Sequence, residues 1–273
     1  MASYDAALRT WPVPYQSQTL RTHFGSTHLI SCGPESALPV LLLHGQESSA
    51  TMWMDNIQAL SQANRVYAID TPGDIGRSRP TQPMNSRQDY AAWLLEVVDQ
   101  LQLGQVDLIG ISYGGFLALN FTLAFPERVK RLILLTPGIP NFGPPTARWA
   151  AYGMPMLLFP SRFTVKWFIN GASTKGYQPQ DPVQEQMIVS VPQLRKRLFL
   201  RPVFTNEELR GITTPCFLLI GDNDILYNPV QAAQQACQLI PNLTAVLIPN
   251  ANHFLNSDQP EIVNTHLLRF LHP

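Results

Sequence analysis

Gly110-Ile111-Ser112-Tyr113-Gly114 is the stretch that decides the fold of this chain. Residues 106–109 before it are short, apolar and partly β-branched, which is typical of a buried strand. Residues 116–124 after it carry apolar side chains at helical spacing. A serine on a tight strand-to-helix turn projects its hydroxyl above the edge of a sheet. The pattern therefore predicts a nucleophilic serine, and the alternative is an ordinary strand-to-helix turn with an N-cap serine.

Steric constraints explain why glycine stands on both sides of this serine. Where the strand and the helix nearly touch, Gly110 and Gly114 must lack a Cβ atom. The backbone N–H of Tyr113 would then point to the position where an oxyanion forms. Tyr113 is therefore the first predicted donor of an oxyanion hole.

Composition excludes several classes of function. Only 14% of the 273 residues are charged and the net charge is zero, which offers no argument for nucleic acid or an anionic membrane as a partner. The three cysteines, Cys32, Cys216 and Cys237, have no metal-binding spacing and suggest a reducing compartment. Residues 1–22 are polar, and no segment is long enough to span a membrane. We expect a cytoplasmic enzyme without a metal site.

Strands and helices alternate along most of the chain. Strand-like runs and helical patterns follow one another from residue 40 to residue 137 and again from residue 216 to residue 271. Ser86 and Asp89 form a predicted capping box at the start of one helix. Alternation at this spacing predicts an α/β protein with a mostly parallel, doubly wound sheet.

The pattern changes between residues 138 and 205. Prolines interrupt this segment, aromatic and methionine side chains are abundant, and Thr146, Ser161 and Asp181 are predicted helix starts. We predict a helical lid at 138–205, inserted between two strands of a core formed by 1–137 and 206–273. The alternative is a second domain packed elsewhere, but the segment is short for a core of its own.

A nucleophilic serine needs a base, and the base needs an orienting acid. His253 follows the last predicted strand, where strand ends face the same edge of the sheet as Ser112. Asp222 and Asp224 follow the preceding strand in the same way. We predict Asp224 as the acid, because the longer loop brings its carboxylate towards His253, and Asp222 as a brace of the turn.

A second oxyanion donor is expected from the loop after residues 40–43, which continues as His44-Gly45-Gln46. The loop after the strand beside the nucleophile strand can supply such an N–H group. We predict that Gln46 donates through its backbone, and that His44 is structural.

The candidate residues follow one another in the order serine, aspartate, histidine, as in α/β hydrolases. Over nearly its whole length, the chain resembles α/β-hydrolase-fold esterases. Within that superfamily the chain is similar to bacterial carboxylesterases of the naproxen-esterase type. Three stretches carry this closer resemblance: 70–78, 89–95 and 203–210. The first departs by one residue from the superfamily pattern D-x-x-G-x-G-x-S, and the subgroup shares this departure. The resemblance implies hydrolysis of small-molecule carboxylic esters without a cofactor.

Two other classes of function are compatible with the same residues. The triad could hydrolyse carbon–carbon bonds, lactones or amides or carry out perhydrolysis, since the fold does not determine the reaction. The chain could also be a small-molecule receptor that uses the pocket for binding and does not catalyse a reaction. Dehalogenases and epoxide hydrolases are disfavoured, because they use a carboxylate nucleophile where Ser112 stands.

Charge is distributed unevenly between the two predicted units. The segment 138–205 carries eight Lys and Arg residues against Asp181 and Glu185, so it is +6, and the remaining chain is −6. The simpler interpretation is that these bases lie on solvent-facing sides of lid helices. The alternative hypothesis is that some of them, with Arg197 as the best single candidate, face the pocket mouth and favour substrates that bear a carboxylate.

Overall fold

The computed structural model describes residues 2–194 and 202–273. The strands in this part of the chain are β1 (Gln16–Thr22), β2 (Gly25–Cys32), β3 (Leu38–Leu43), β4 (Asn64–Ile69), β5 (Arg79–Pro80), β6 (Val106–Ile111), β7 (Val129–Leu135), β8 (Cys216–Gly221) and β9 (Leu243–Ile248). The α-helices there are α1 (Ala2–Arg9), α2 (Met54–Ser61), α3 (Arg87–Gln100), α4 (Tyr113–Ala124), α5 (Ala147–Leu158), α6 (Arg162–Ala172), α7 (Pro182–Ser190), α8 (Asn206–Arg210), α9 (Pro229–Leu239), α10 (Leu255–Asp258) and α11 (Pro260–Leu271). None of the described helices is long and apolar enough to cross a membrane.

These strands form one sheet in the order β1-β2-β4-β3-β6-β7-β8-β9, with β5 paired to β2 at one end. The six strands from β4 to β9 in this order run parallel, whereas β1, β2 and β5 pair antiparallel. The mostly parallel α/β sheet predicted from the sequence is confirmed. The carboxyl ends of β3, β6, β7, β8 and β9 therefore meet at one edge, where the candidate site lies.

The central strands are buried on both faces of the sheet. Along β3, Val40 and Leu42 pack into the cluster on one face, whereas Leu41 and Leu43 pack into the cluster on the other. Helices cover both faces, so alternating side chains are equally apolar and the strands appear as continuous hydrophobic runs. This double burial gives the edge of the sheet a rigid support.

The predicted helix starts are confirmed. Ser86 and Asp89 form the capping box of α3, with the side chain of each accepting a hydrogen bond from the other's backbone N–H. Thr146, Ser161 and Asp181 accept backbone N–H bonds at the starts of α5, α6 and α7. The caps are local interactions within three residues, which is why the sequence pattern sufficed to find them.

The first helix was missed by the sequence analysis. The side chains of Tyr4, Ala7 and Leu8 on α1 are buried, and the ring of Tyr4 lies edge-on to His28 at 5.6 Å between centroids. A helix of eight residues is marginal by itself and is stabilised here by tertiary packing. The polar, proline-containing sequence of residues 1–22 did not reveal that contact.

Helices α5, α6 and α7 lie between β7 and β8 in the chain, and they have an apolar cluster of their own. Val165, Ile169 and Met187 belong to this cluster, together with Ile225 and Phe254 from loops beyond β8 and β9. The helices therefore rest on the edge of the sheet that carries the candidate site. A lid role for residues 138–205 stays a prediction, and Arg195, Lys196, Arg197 and Arg201 lie outside the described residues.

Candidate active site

Ser112 occupies the turn between β6 and α4 in a strained backbone conformation. Its φ of 51° and ψ of −113° are unfavourable for a residue with a side chain and cost roughly 1–3 kcal/mol. The Ser112 N–H donates to the Leu135 carbonyl at 3.0 Å, and the Ser112 carbonyl accepts from the N–H of Gly138 at 2.8 Å. These bonds to β7 and the loop after it hold the strained turn in place.

The glycines on either side of Ser112 lie close to the backbone of neighbouring segments. A Cβ atom on Gly110 would lie 2.2 Å from the Gly114 carbonyl oxygen, and one on Gly114 would lie 2.1 Å from the oxygen of Leu43. Neither position can hold a larger residue without moving backbone. The close approach of strand and helix that the sequence predicts is therefore present.

His253 lies in the loop between β9 and α10, and its Nε2 atom is 3.0 Å from the Ser112 hydroxyl oxygen. Its backbone N–H donates to the Asn252 side-chain oxygen at 2.8 Å. Asn252 in turn donates through Nδ2 to the carbonyl of Gly171 at 2.7 Å, at the end of α6. The loop that carries the imidazole is thus tied to the helices between β7 and β8.

Asp224 lies on the other side of the imidazole. Its Oδ2 and Oδ1 atoms are 3.1 and 3.3 Å from His253 Nδ1, and both side chains are buried. The same carboxylate accepts the Thr136 hydroxyl and the N–H of Leu226 at 2.6 Å. A carboxylate at Nδ1 favours the tautomer with a proton on Nδ1, which leaves Nε2 able to accept the serine proton.

Asp222 is placed differently from Asp224. It is exposed and accepts hydrogen bonds from Asn223 Nδ2 at 2.7 Å and from the Ala251 N–H at 3.3 Å. These bonds connect the loops after β8 and β9. The structure brings Asp224, and not Asp222, to His253.

The loop after β3 passes directly against the serine. A Cβ atom on Gly45 would be 3.5 Å from Ser112 Cβ, and Gln46 follows at the wall of the same cavity. His44 donates from Nδ1 to the Gly45 carbonyl at 2.7 Å and accepts from the Thr71 N–H at Nε2 at 2.9 Å. Burial lowers the pKa of His44, which fits a neutral imidazole that shapes this loop.

Tyr113 is the first residue of α4 and directly follows the serine. The N-terminal end of a helix carries partial positive charge and favours negative charge nearby. The Tyr113 ring is buried and stacks on Phe116 at 6.2 Å between centroids, so the backbone at this turn is fixed by packing. The two predicted oxyanion donors thus lie on different elements beside the cavity: Tyr113 begins α4 directly after Ser112, and Gln46 lies in the loop after β3 at the cavity wall.

A cavity of about 90 Å³ opens above Ser112 and His253. Its walls are mostly apolar and come from the loop after β3, from α5, α6 and α7 and from the loop after His253: Met52, Trp149, Met156, Leu157, Phe168, Met187 and Phe254. Sequence analysis associated several of these aromatic and methionine residues with the inserted segment, but it did not identify Met52 or Phe254 as wall residues.

A second cavity of about 140 Å³ lies beside the first. Met52, Met187 and Phe254 line both cavities and form the partition between them. Methionine side chains are unbranched and adapt their shape, so this partition is deformable in comparison with a wall of branched residues.

Buried carboxylates stabilise the loops around the cavity. Asp70, the first residue of the stretch 70–78, accepts hydrogen bonds from the N–H groups of Ala50 and Arg77 and from His28 Nδ1, all at 2.8–2.9 Å. Burial by itself raises the pKa of Asp70, but the hydrogen bond and charge of His28, the charge of His44 and the Ala50 N–H together outweigh it, and the pKa is lowered. Asp70 thereby joins β2, the turn before α2 and the 70–78 loop.

The pKa of Asp74, in the same loop, is shifted in the opposite direction. Burial and the neighbouring carboxylate of Glu47 raise the pKa of Asp74 well above its usual value. Glu47 itself is buried at the wall of the cavity above Ser112, with a backbone φ of 60°. Sequence analysis assigned no role to either carboxylate.

The basic residues of the inserted segment that the structure describes do not line the cavity. Arg148 is exposed and donates to the Asn223 carbonyl at 3.3 Å, and the Lys166 ammonium lies 4.3 Å from the centre of the Tyr177 ring. Lys175 is exposed and bonds to the Ser257 carbonyl, and Arg162 is exposed at the start of α6. The hypothesis about Arg197 falls outside the described residues.

Thr136 and Asp258 are site-supporting residues that sequence analysis missed. Thr136 has a φ of 42° directly after β7, and its hydroxyl bonds to Asp224. Asp258 accepts the N–H of Asn252 at 2.8 Å and the Ser173 hydroxyl at 2.5 Å. The position of Thr136 at the carboxyl end of a parallel strand was a usable signal. Asp258 had none, because the loop path that brings its carboxylate to Asn252, six residues earlier, and to Ser173 of a distant segment depends on tertiary contacts.

Comparison with known proteins gives matches over nearly the whole chain. Residues 40–265 match the Alpha/beta hydrolase family. Carboxylesterase YbfK of Bacillus subtilis (strain 168) is 36% identical over 281 residues, which cover 98% of this chain and 92% of that protein. The crystal structure of carboxylesterase CesB (YbfK) from Bacillus subtilis has a TM-score of 0.92 at 33% identity, with 99% of this chain and 96% of that chain covered.

The crystal structure of naproxen esterase (carboxylesterase NP) from Bacillus subtilis is similar to the same degree. Its TM-score is 0.90 at 35% identity, with coverage of 99% of this chain and 96% of that chain. The resemblance expected from the stretches 70–78, 89–95 and 203–210 is confirmed. On these matches and this fold, the chain belongs to the α/β hydrolase family.

Proposed function

We propose that this protein is a carboxylic ester hydrolase that acts on small apolar esters through an acyl-enzyme intermediate on Ser112. The observation that carries the proposal is the continuous hydrogen-bonded series from Ser112 through His253 to Asp224. It opens into an apolar cavity, as a small-molecule site requires. The carboxylesterase names of the relatives support an ester as the substrate.

In the first half of the reaction, Ser112 Oγ attacks the ester carbonyl while its proton moves to His253 Nε2. Asp224 keeps the imidazole in the required orientation and stabilises the imidazolium that forms. The N–H groups of Gln46 and Tyr113 are the proposed donors to the oxyanion, each contributing about 3 kcal/mol to stabilisation of the transition state. His253 then gives its proton to the departing alcohol, which leaves the acyl group on Ser112.

In the second half, a water molecule takes the place of the alcohol. His253 Nε2 accepts a proton from this water as its oxygen attacks the acyl carbonyl. Collapse of the second tetrahedral intermediate returns the proton to Ser112 Oγ and releases the carboxylic acid. No cofactor enters either step.

A series of p-nitrophenyl esters of increasing acyl length tests the proposal. We expect turnover of the short esters by the wild-type chain, an initial burst of p-nitrophenol equal to the enzyme concentration where deacylation is slow, and no turnover by Ser112→Ala. Hydrolysis of none of these esters by the folded wild-type chain would contradict the proposed function.

We propose that the partition between the two cavities limits the length of the substrate. Met187→Ala removes three side-chain heavy atoms from a wall that both cavities share, and the spaces of about 90 and 140 Å³ would then join. The ratio of kcat/KM for a long ester to that for a short ester should rise about fourfold for each methylene newly buried. Steady-state kinetics with the same ester series measures this ratio.

Ile188→Ala is the matched control for this substitution. Ile188 is equally buried on α7 and lines neither cavity. Both variants should lose roughly 2–5 kcal/mol of stability as large-to-small substitutions, but only Met187→Ala should change chain-length preference. An identical shift in both variants would trace the effect to a loosened fold.

Salt dependence separates the two interpretations of the basic segment. The described bases do not line the cavity, so no Lys or Arg on its described walls attracts a carboxylate ester. We therefore expect kcat/KM for an ester with a free carboxylate and for a neutral ester of equal size to respond equally to ionic strength between about 10 and 300 mM, where screening changes most. A steeper fall for the carboxylate ester would place a basic group at the cavity entrance, as the hypothesis about Arg197 requires.

A further inference from the structure

Five of the nine large apolar side chains that are exposed in the described residues lie on one hairpin, formed by α5, α6 and the turn between them. We call this surface the hairpin face, and it consists of Met154, Leu158, Phe159, Phe163 and Trp167. Leu158, Phe159 and Phe163 are 61%, 73% and 74% exposed. Such a concentration on one hairpin indicates an interaction surface, because exposed large apolar residues are normally scattered singly over a protein surface.

Two aromatic rings of this face, those of Phe163 and Trp167, form a layer with the ring of Tyr152. The ring of Phe163 stacks on Trp167 at 6.4 Å between centroids, and Trp167 stacks on Tyr152 of α5 at 5.1 Å. The Trp167 indole N–H donates to the Ala151 carbonyl at 3.0 Å, so the exposed side of that ring is fixed. The face is therefore preformed on two packed helices.

Helix α6 is apolar on both sides. Val165, Phe168 and Ile169 point into the protein and are buried, while Phe163 and Trp167 point outward. The inward side packs against α5 and α7. The outward side presents two large aromatic rings between basic residues, where the solvent-facing side of an amphipathic helix is ordinarily polar.

The charge of the hairpin indicates what covers it. Residues 138–180 contain four basic residues, Arg148, Arg162, Lys166 and Lys175, and no aspartate or glutamate. Two of these bases, Arg162 and Lys166, alternate with Phe163 and Trp167 on α6. The zero net charge of the whole chain conceals this local positive charge, since the remaining residues balance it.

We propose that the hairpin face binds the surface of an anionic phospholipid bilayer, with Phe159 and Phe163 inserted at the level of the headgroups. Aromatic side chains favour that interface, and flanking Lys and Arg residues are attracted to anionic headgroups. A second copy of this chain, seated on the same face by two-fold symmetry, would bring Arg162 and Lys166 of both copies together without acidic partners on the hairpin. Charge therefore favours lipid over self-association.

The inner side of the same two helices lines the catalytic cavity. Trp149, Met156 and Leu157 from α5 and Phe168 from α6 form its walls. Lipid binding on the outer side would thus place the cavity next to a source of apolar esters. This consequence rests on the proposed function, but the binding itself does not.

Vesicle sedimentation tests the binding independently of hydrolysis. The measurement uses the Ser112→Ala chain, so that vesicle lipids stay intact, with vesicles of phosphatidylcholine alone or of phosphatidylcholine and phosphatidylglycerol in equal amounts. We expect sedimentation with the anionic vesicles, weaker by about fivefold for each charge removed in Arg162→Gln and Lys166→Gln and weaker in high salt. Phe159→Ser with Phe163→Ser should weaken it by at least about tenfold.

Val230→Ser is the matched control, because Val230 is an exposed apolar residue on α9 and does not belong to the hairpin. It should bind as well as the parent chain. The variants at Arg162, Phe159, Phe163 and Val230 should unfold at the temperature of the parent chain because these side chains are exposed, and thermal unfolding of Lys166→Gln verifies its fold, because Lys166 is half-buried against Tyr177. Absence of binding to anionic vesicles would overturn the proposal. A concentration-dependent dimer that the double phenylalanine variant dissociates, without vesicle binding, would assign the face to a second copy.

Discussion

Ser112→Ala should lower ester hydrolysis by about a million-fold, the size of effect known for removal of a serine nucleophile. The reason is that the Ser112 hydroxyl is the group held 3.0 Å from His253 Nε2, on a turn whose strained backbone aims it into the cavity. The same substitution should abolish labelling by a fluorophosphonate probe. Mass spectrometry of the labelled peptide and steady-state kinetics measure the two effects.

Ser48→Ala is the control for this experiment. Ser48 is buried at the wall of the same cavity, and no hydrogen bond to His253 is found for it in the described part of the chain. It should keep fluorophosphonate labelling at Ser112. Labelling of Ser112→Ala at the wild-type rate would show that another residue is the nucleophile, and a loss of labelling in both variants would point to a damaged cavity.

Asp224→Asn should lower kcat by about ten-thousand-fold with little change in the fold. An asparagine amide can donate to His253 Nδ1, and it then favours the tautomer in which Nε2 carries the proton. In that tautomer Nε2 faces Ser112 as a donor and cannot accept the serine proton. Turnover of p-nitrophenyl acetate, with circular dichroism to verify the fold, measures the effect.

Asp222→Asn is the matched control on the same loop. Its carboxylate is exposed and contacts Asn223 and the Ala251 N–H, so the change should alter stability by about 0.5 kcal/mol or less and leave kcat close to that of the wild-type chain. The opposite pattern, with a large loss in Asp222→Asn alone, would identify Asp222 as the orienting acid.

The local sequence was sufficient to predict a turn or a helix start wherever the interactions that form it lie within a few residues. The turn at Ser112 follows from Gly110 and Gly114, because a Cβ atom at either position meets backbone at little more than 2 Å. The starts of α5, α6 and α7 follow from side chains that accept N–H bonds two or three residues ahead. Sterics and caps of this kind are readable without knowledge of the rest of the molecule.

The predicted parallel topology also made it possible to identify the candidate triad from the sequence. The residues after β6, β8 and β9 meet at one edge of the sheet, which made Ser112, Asp224 and His253 candidates together. The choice between Asp222 and Asp224 required the loop conformation, since the two carboxylates are two residues apart and the structure places only Asp224 at Nδ1. The sequence argument for Asp224 said that the longer loop runs towards His253, but it could not give the distance between the carboxylate and the imidazole.

The cavity walls and the hairpin face were decided by tertiary structure alone. Met52, Met187 and Phe254 come from segments more than 60 residues apart, and no periodicity within one segment indicates that they share a partition. Likewise, α6 has apolar residues on both sides, and its pattern does not say which side packs inward. Contacts between distant segments depend on the path of the whole chain, so the sequence by itself determined the candidate reacting groups, and the tertiary structure decided the space around them.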